Sequence, residues 1–105
     1  MAAIVEIRSY QLKPGTGKNF HQLMYEQSLP LLEAAGVSVA FAQPSLHSLD
    51  HYILIRRYEN LAHRQSSQDA FYASAAWRQG PREAVLACIT SSTDVIVDAN
   101  FLGKM

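Results

Sequence analysis

The stretch "VEIRSY" (residues 5–10) alternates its side chains in the manner of a β-strand. Successive strand residues point to opposite faces, so one face carries charged and tyrosine side chains: Glu6, Arg8 and Tyr10. The stretch "HYILIRRY" (residues 51–58) shows the same pattern, and its corresponding face carries Tyr52, Leu54, Arg56 and Tyr58. Two predicted strands therefore place arginine and tyrosine together on one face.

Around these two strands, the sequence predicts a β-α-β-β-α-β order. A helix from 18 to 35 should kink near residues 28–29 because Pro30 lacks a backbone donor. We predict strands at 4–12, 37–43, 51–58 and 93–99, a loop at 44–50, and a second helical region from about 60 that is interrupted at Gly80–Pro81. This order predicts an α+β, ferredoxin-like subunit, with a four-stranded antiparallel sheet and helices on one face.

In such a sheet, the first and third strands lie side by side at the centre. We expect their more apolar face to pack under the helices: Val5, Ile7, Ile53 and Ile55. The face with arginine and tyrosine would then be uncovered, which is too apolar a surface to leave bare. A second subunit's sheet would cover it, so we predict a homodimer. We also expect Arg8→Ala to weaken that dimer.

Length and composition narrow the class of protein. The 105 residues predict a single domain, 1–105, and nine basic residues balance nine acidic ones. The absence of a basic patch argues against nucleic acid and against an anionic membrane surface as partners. Cys88 is the single cysteine, which excludes an intrachain disulfide, and the N-terminal residues lack a signal-peptide pattern. We predict a cytoplasmic protein.

Four segments in order resemble the NIPSNAP family: "IVEIRSYQLKPG" (4–15), "LP" (29–30), "RYENLAHR" (57–64) and "AAWR" (75–78). The resemblance implies a dimeric α/β-barrel, in which two ferredoxin-like sheets face each other. The broader superfamily includes cofactor-free oxygenases, haem-degrading enzymes, isomerases and proteins without established chemistry. This chain departs from the family at Leu54 and Arg56, where histidine and tryptophan are frequent, and at His47, where glycine is frequent.

Arginine and tyrosine on the central strands are the candidate site residues. Arg8 and Arg56 suit a planar anion, with Glu6 and Trp77 as further substrate-binding residues, and Tyr10 and Tyr58 as catalytic proton donors. The alternative is that these charges only pair with one another inside a dimer interface.

Two functions remain open from the sequence. The first is small-molecule binding by a dimeric α/β-barrel protein of NIPSNAP type. In this case the protein could also be a cofactor-free enzyme, similar to a monooxygenase or an isomerase, that acts on a small, partly apolar anion. The second is a non-catalytic interaction or stress-associated structural dimer. We predict no metal, because His47 and His51 fall where a predicted loop enters a strand and lack helical i,i+4 geometry. We also predict no cofactor, since haem would need His21 or His63 in the cleft.

Overall fold

A computed structural model describes residues 3–100 of the chain. Its elements are β1 (Ile4–Leu12), α1 (Gly17–Leu23), a π-helical turn (Met24–Ser28), α2 (Leu29–Ala34), β2 (Ser38–Ser45), β3 (Ser48–Tyr58), α3 (Leu61–Ala73), α4 (Ala75–Arg78), α5 (Arg82–Cys88) and β4 (Ile89–Asp98). The strands form one antiparallel sheet in the order β2-β3-β1-β4. The predicted α+β, ferredoxin-like fold with central β1 and β3 is confirmed. Within residues 3–100, no helix has the length and apolarity needed to cross a membrane.

Three strands extend further than the sequence predicts, and β4 is one of them because it begins at Ile89, four residues early. The segment 44–50 was expected to be a loop, but β2 continues to Ser45 and β3 already begins at Ser48. Pro44 does not end the strand because β2 is an edge strand, where a missing backbone donor costs no ladder bond. The connection is therefore a tight hairpin at residues 46–47.

The helices cover the face that was expected to be open. Glu6 and Arg56 are 0% and 1% exposed, and the tyrosines of the same face are buried beneath the helices: Tyr10, Tyr52 and Tyr58. The prediction that the face of Val5, Ile7, Ile53 and Ile55 packs under the helices is wrong. Tyrosine rings and arginine stems supply enough apolar surface to build this core, provided that their polar ends find partners.

Arg8 also lies on the covered face, and its side-chain partners are Asp94 of β4 and Tyr72 of α3 in the same chain. Arg8 therefore does not pair across an open sheet face. The reason given for expecting Arg8→Ala to weaken a dimer is wrong.

The uncovered face of the sheet carries an apolar row that crosses all four strands. The backbone register pairs Phe41 with Ile55, Ile55 with Ile7, and Ile7 with Val95. Phe41 and Val95 are 42% and 57% exposed. We call these four residues the open-face row.

The predicted break before Pro30 takes the form of a π-helical turn. Pro30 has no N–H to donate to the carbonyl of residue 26, and the Leu29 N–H instead reaches the carbonyl of Met24, five residues back. The extra residue widens the helix at Ser28, which is only 3% exposed and faces the core.

Asp50 connects the start of β3 to the start of α1. Its carboxylate accepts hydrogen bonds from the backbone N–H groups of Gly15 and Gly17, at 3.0 and 2.9 Å. Gly17 must be glycine, because a Cβ there would lie 1.7 Å from the carbonyl oxygen of Leu49. These bonds to the carboxylate lower the pKa of Asp50.

Candidate functional site

The centre of the covered face holds a buried ion pair between neighbouring strands. Glu6 of β1 lies directly opposite Arg56 of β3, and the Nε of Arg56 donates to Glu6 Oε1 at 2.9 Å. The second oxygen, Oε2, accepts from Arg64 Nε at 2.7 Å and from Gln68 Nε2 at 2.6 Å, both on α3. Burial alone would raise the pKa of Glu6, but the charge of Arg56 and the hydrogen bonds from Gln68 and Arg56 outweigh it and lower that pKa. Glu6 is therefore a carboxylate that binds its neighbours and not a base.

A second carboxylate extends this network toward β4. The guanidinium of Arg8 donates to both oxygens of Asp94, at 2.7 and 3.2 Å, and Arg64 reaches Asp94 Oδ2 at 3.3 Å. Arg8 also lies 3.6 Å from Glu6. Three guanidinium groups thus share two carboxylates, which leaves one positive charge uncompensated within the cluster.

Tyr72 of α3 lies where this excess charge meets the core. Its hydroxyl oxygen accepts from Arg56 Nη1 at 2.9 Å and from Arg8 Nη1 at 3.3 Å. A phenol oxygen has two acceptor positions, and both are used by cations. The proton of Tyr72 is therefore the part of the hydroxyl that remains for a ligand.

A small cavity adjoins Tyr72 between the sheet and the helices. Its volume is about 30 Å³. The polar side chains in its wall are Tyr10, Ser28, Arg56 and Tyr72, and its apolar wall is formed by Met24, Leu32, Leu54, Phe71, Trp77 and Val85. We call it the Ser28–Tyr72 cavity.

Ser28 adds an unused polar group to this cavity. Its Oγ is buried and has no hydrogen-bond partner among residues 3–100. A buried hydroxyl without a partner is costly, and such groups in native proteins call for a specific explanation. The π-helical turn, a feature frequent at functional sites, is what places Ser28 here.

The residues predicted from sequence divide into two groups. The first group lines the cavity: Arg56, Tyr10 and Trp77. The second group lies outside the wall, where Glu6 accepts from Arg56 and Arg8 donates to Tyr72. Burial raises the pKa of Tyr10 to about 12, so its hydroxyl stays protonated near neutral pH.

Tyr58, the other predicted proton donor, is not part of the cavity wall. Its hydroxyl accepts a hydrogen bond from Gln68 Nε2 at 3.3 Å, and burial raises its pKa. Tyr58 therefore supports the network and is too far along the strand to serve the Ser28–Tyr72 cavity.

Five contributors were not among the predicted site residues: Ser28, Asp94, Arg64, Gln68 and Tyr72. The last three recur at a spacing of four residues, which places them on one side of α3. This polar stripe can be seen in the sequence. A largely polar helix is nevertheless expected at the surface, unless one notices that the strands facing it also carry polar side chains.

The histidines make other contacts. His21 Nδ1 lies 2.7 Å from the Tyr52 hydroxyl, and His63 Nδ1 accepts from the backbone N–H of Glu59 at 3.0 Å. Neither lines the Ser28–Tyr72 cavity. His47 and His51 have ring centroids 5.5 Å apart, but in the described part of the chain no three His, Cys, Asp or Glu side chains gather as a metal site would require.

Several solved protein structures have a fold similar to that of this chain. An uncharacterised NIPSNAP-like domain protein from Burkholderia xenovorans superposes with a TM-score of 0.83 at 18% identity, over 91% of this chain and 84% of that one. A NIPSNAP family protein from Agrobacterium tumefaciens gives 0.83 at 19% identity, covering 90% of each chain. A putative antibiotic biosynthesis monooxygenase from Bordetella bronchiseptica gives 0.70 at 21% identity, over 93% and 97% of the two chains.

A comparison of the sequence with curated proteins gives no match. The sequence does match the NIPSNAP family over residues 5–99, which includes every residue of the buried cluster and of the cavity wall. The chain therefore belongs to the NIPSNAP family.

Proposed function

We propose that this protein binds a small, partly apolar anionic compound in the Ser28–Tyr72 cavity. The observation that carries the proposal is the cavity wall, which combines the guanidinium of Arg56 with the Tyr72 hydroxyl and the unpartnered Ser28 hydroxyl. The adjoining cluster carries one more guanidinium than carboxylate, so its electrostatic field favours an anion in the cavity. The apolar wall around the polar groups suits a ligand with a hydrocarbon part.

The same geometry suits cofactor-free acid chemistry on such a ligand. Arg8 and Arg56 occupy the acceptor positions of the Tyr72 hydroxyl, so its proton is available to a ligand oxygen. Both cations would also stabilise negative charge that develops on the phenol oxygen or on the ligand. Tyr72 takes the role of proton donor that was expected of Tyr10 or Tyr58.

The binding proposal is tested by comparing hexanoate with 1-hexanol in NMR titrations of the wild-type protein and two variants. Tyr72→Phe removes the donor hydroxyl and keeps the ring, and it should weaken hexanoate binding about tenfold, as expected for a lost hydrogen bond to a charged group. Tyr25→Phe is the matched control, since Tyr25 is 49% exposed and does not line the cavity. Equal affinity for hexanol and hexanoate, or no effect of Tyr72→Phe, would contradict the proposal.

We further propose that the protein is a homodimer that packs through the open-face row. Exposed apolar side chains that form a continuous row across a sheet are typical of a surface that a partner covers. Two sheets packing in this way would form the dimeric α/β-barrel that family membership leads us to expect.

Sedimentation of two charge variants tests the dimer. Val95→Glu places a carboxylate in the open-face row and should shift the protein toward monomer. Leu86→Glu is the control, because Leu86 is 44% exposed on α5, on the helical side of the sheet. If Val95→Glu sediments like the wild-type protein at every concentration, the open-face row is not the interface.

A further inference from the structure

A shallow apolar groove runs along the outside of the helices above the Ser28–Tyr72 cavity. It lies between α2 and α3 with α4, has a volume of about 320 Å³, and is lined mainly by small and apolar side chains, among them Leu31, Ala34, Ala70, Phe71, Ser74 and Ala76. We call it the α2–α3 groove.

The cavity by itself is too small for a whole amphipathic ligand. A volume of about 30 Å³ accommodates about two water-sized groups at most, since one water needs on the order of 10–15 Å³ measured in this way. That is the size of a carboxylate head. Any hydrocarbon chain attached to this head must therefore lie outside the cavity.

The cavity and the groove share one wall. Phe71 lines both, and on α2 the adjacent residues Leu31 and Leu32 line the groove and the cavity, respectively. Phe71 is 6% exposed, so its ring fills the space between the two. A ligand that extends from the cavity into the groove would therefore have to displace this ring.

We propose that the ligand is an aliphatic monocarboxylate, with its carboxylate on Arg56, Tyr72 and Ser28 and its chain along the α2–α3 groove. This inference rests on the proposed binding function and names the ligand class. A single carboxylate would accept hydrogen bonds from the Tyr72 and Ser28 hydroxyls, beside a cluster with one more guanidinium than carboxylate. The small, apolar groove residues leave room for a methylene chain and offer it no polar competitor apart from Ser67 and Ser74.

Chain length provides the first test, by NMR titration with acetate, hexanoate and octanoate. A fully buried methylene strengthens binding about fourfold. Because the groove is open on one side, we expect about half of that free energy, or about twofold per methylene. Octanoate should therefore bind the wild-type protein about fourfold more tightly than hexanoate.

Groove variants provide the second test. Ala70→Trp fills the groove and should abolish the preference for octanoate, while acetate shifts the same cavity resonances as in the wild-type protein. Ala62→Trp is the control on the same helix, because Ala62 is exposed and does not line the groove. Ala34→Trp, on the facing helix, repeats the test if Ala70→Trp does not fold.

The outcomes separate the two proposals. If acetate and hexanoate bind in a manner that depends on Tyr72 but chain length and Ala70→Trp have no effect, the groove assignment is wrong and the binding function stands. If none of the three carboxylates shifts a cavity resonance, both are wrong.

Discussion

Glu6→Gln is the substitution that most directly tests the buried cluster. The amide oxygen of glutamine still accepts from Arg56, but its NH₂ group would face Arg64 and Gln68, which are themselves donors to Glu6 Oε2. Two hydrogen bonds to a charged group are lost, at about 1.5–3 kcal/mol each, and breaking a buried ion pair costs about 3–5 kcal/mol. We expect the free energy of unfolding to fall by about 4 kcal/mol.

Urea unfolding followed by tryptophan fluorescence measures this change. Trp77 is the single tryptophan and is 7% exposed, so its emission reports the core. A loss of about 4 kcal/mol corresponds to a decrease in Tm of about 15–20 °C for a domain of this size. All variants are compared at one protein concentration, because subunit association would add to the apparent stability.

The control is Glu83→Gln. Glu83 pairs with Arg82 at the surface, where the two side chains are 83% and 43% exposed, so its loss should cost less than about 0.5 kcal/mol. If Glu6→Gln also unfolds within about 1 kcal/mol of the wild-type protein, the buried Glu6–Arg56 pair does not hold α3 on the sheet and the reasoning is wrong.

Two further predictions concern the same cluster and cavity. Because the pKa of Glu6 is lowered in the folded protein, its contribution to stability is complete above its ordinary pKa near 4.5 and is lost as the pH falls through the lowered value. The urea midpoint should therefore fall as the pH decreases below about 4.5, and Glu6→Gln should flatten that dependence; a parallel pH profile in the variant would argue against it. Ser28→Ala removes a buried hydroxyl without a partner and should raise the free energy of unfolding of the ligand-free protein by about 1 kcal/mol while weakening carboxylate binding. A destabilised Ser28→Ala variant would show that the hydroxyl is already satisfied.

The order of strands and helices could be predicted from the sequence because it depends on local signals. Alternation marks the strands, Pro30 marks the break, and Asn60 caps α3 by accepting from the His63 N–H at 2.8 Å. The face of the sheet that the helices cover could not be read in this way. Counting apolar residues favours the face of Ile7, and only the polar stripe of α3 reveals where Glu6 and Arg56 find their partners.

Part of the cavity wall could be identified from the sequence for the same reason. Arg56 and Tyr10 belong to alternating strand patterns, and each pattern can be recognised within a stretch of eight residues or fewer. Tyr72 reaches the cavity through long-range packing and Ser28 through the π-helical turn, and neither position in the cavity can be read from the local sequence, although the stripe of α3 and Pro30 are visible there. The proposed proton donor therefore lies on a helix, whereas the arginine and tyrosine residues that the sequence singled out lie on the strands.

The polar stripe of α3 has a consequence for how this cavity can change. Arg64, Gln68 and Tyr72 act as spacers of fixed reach between the helix and the sheet, because directional bonds hold only one registry whereas apolar contacts tolerate sliding. The lengths of these three side chains therefore set the depth of the cavity. Only one of them, Tyr72, is part of the cavity wall. Exchanging one spacer for a shorter or longer residue would therefore resize the cavity and leave the rest of its lining intact.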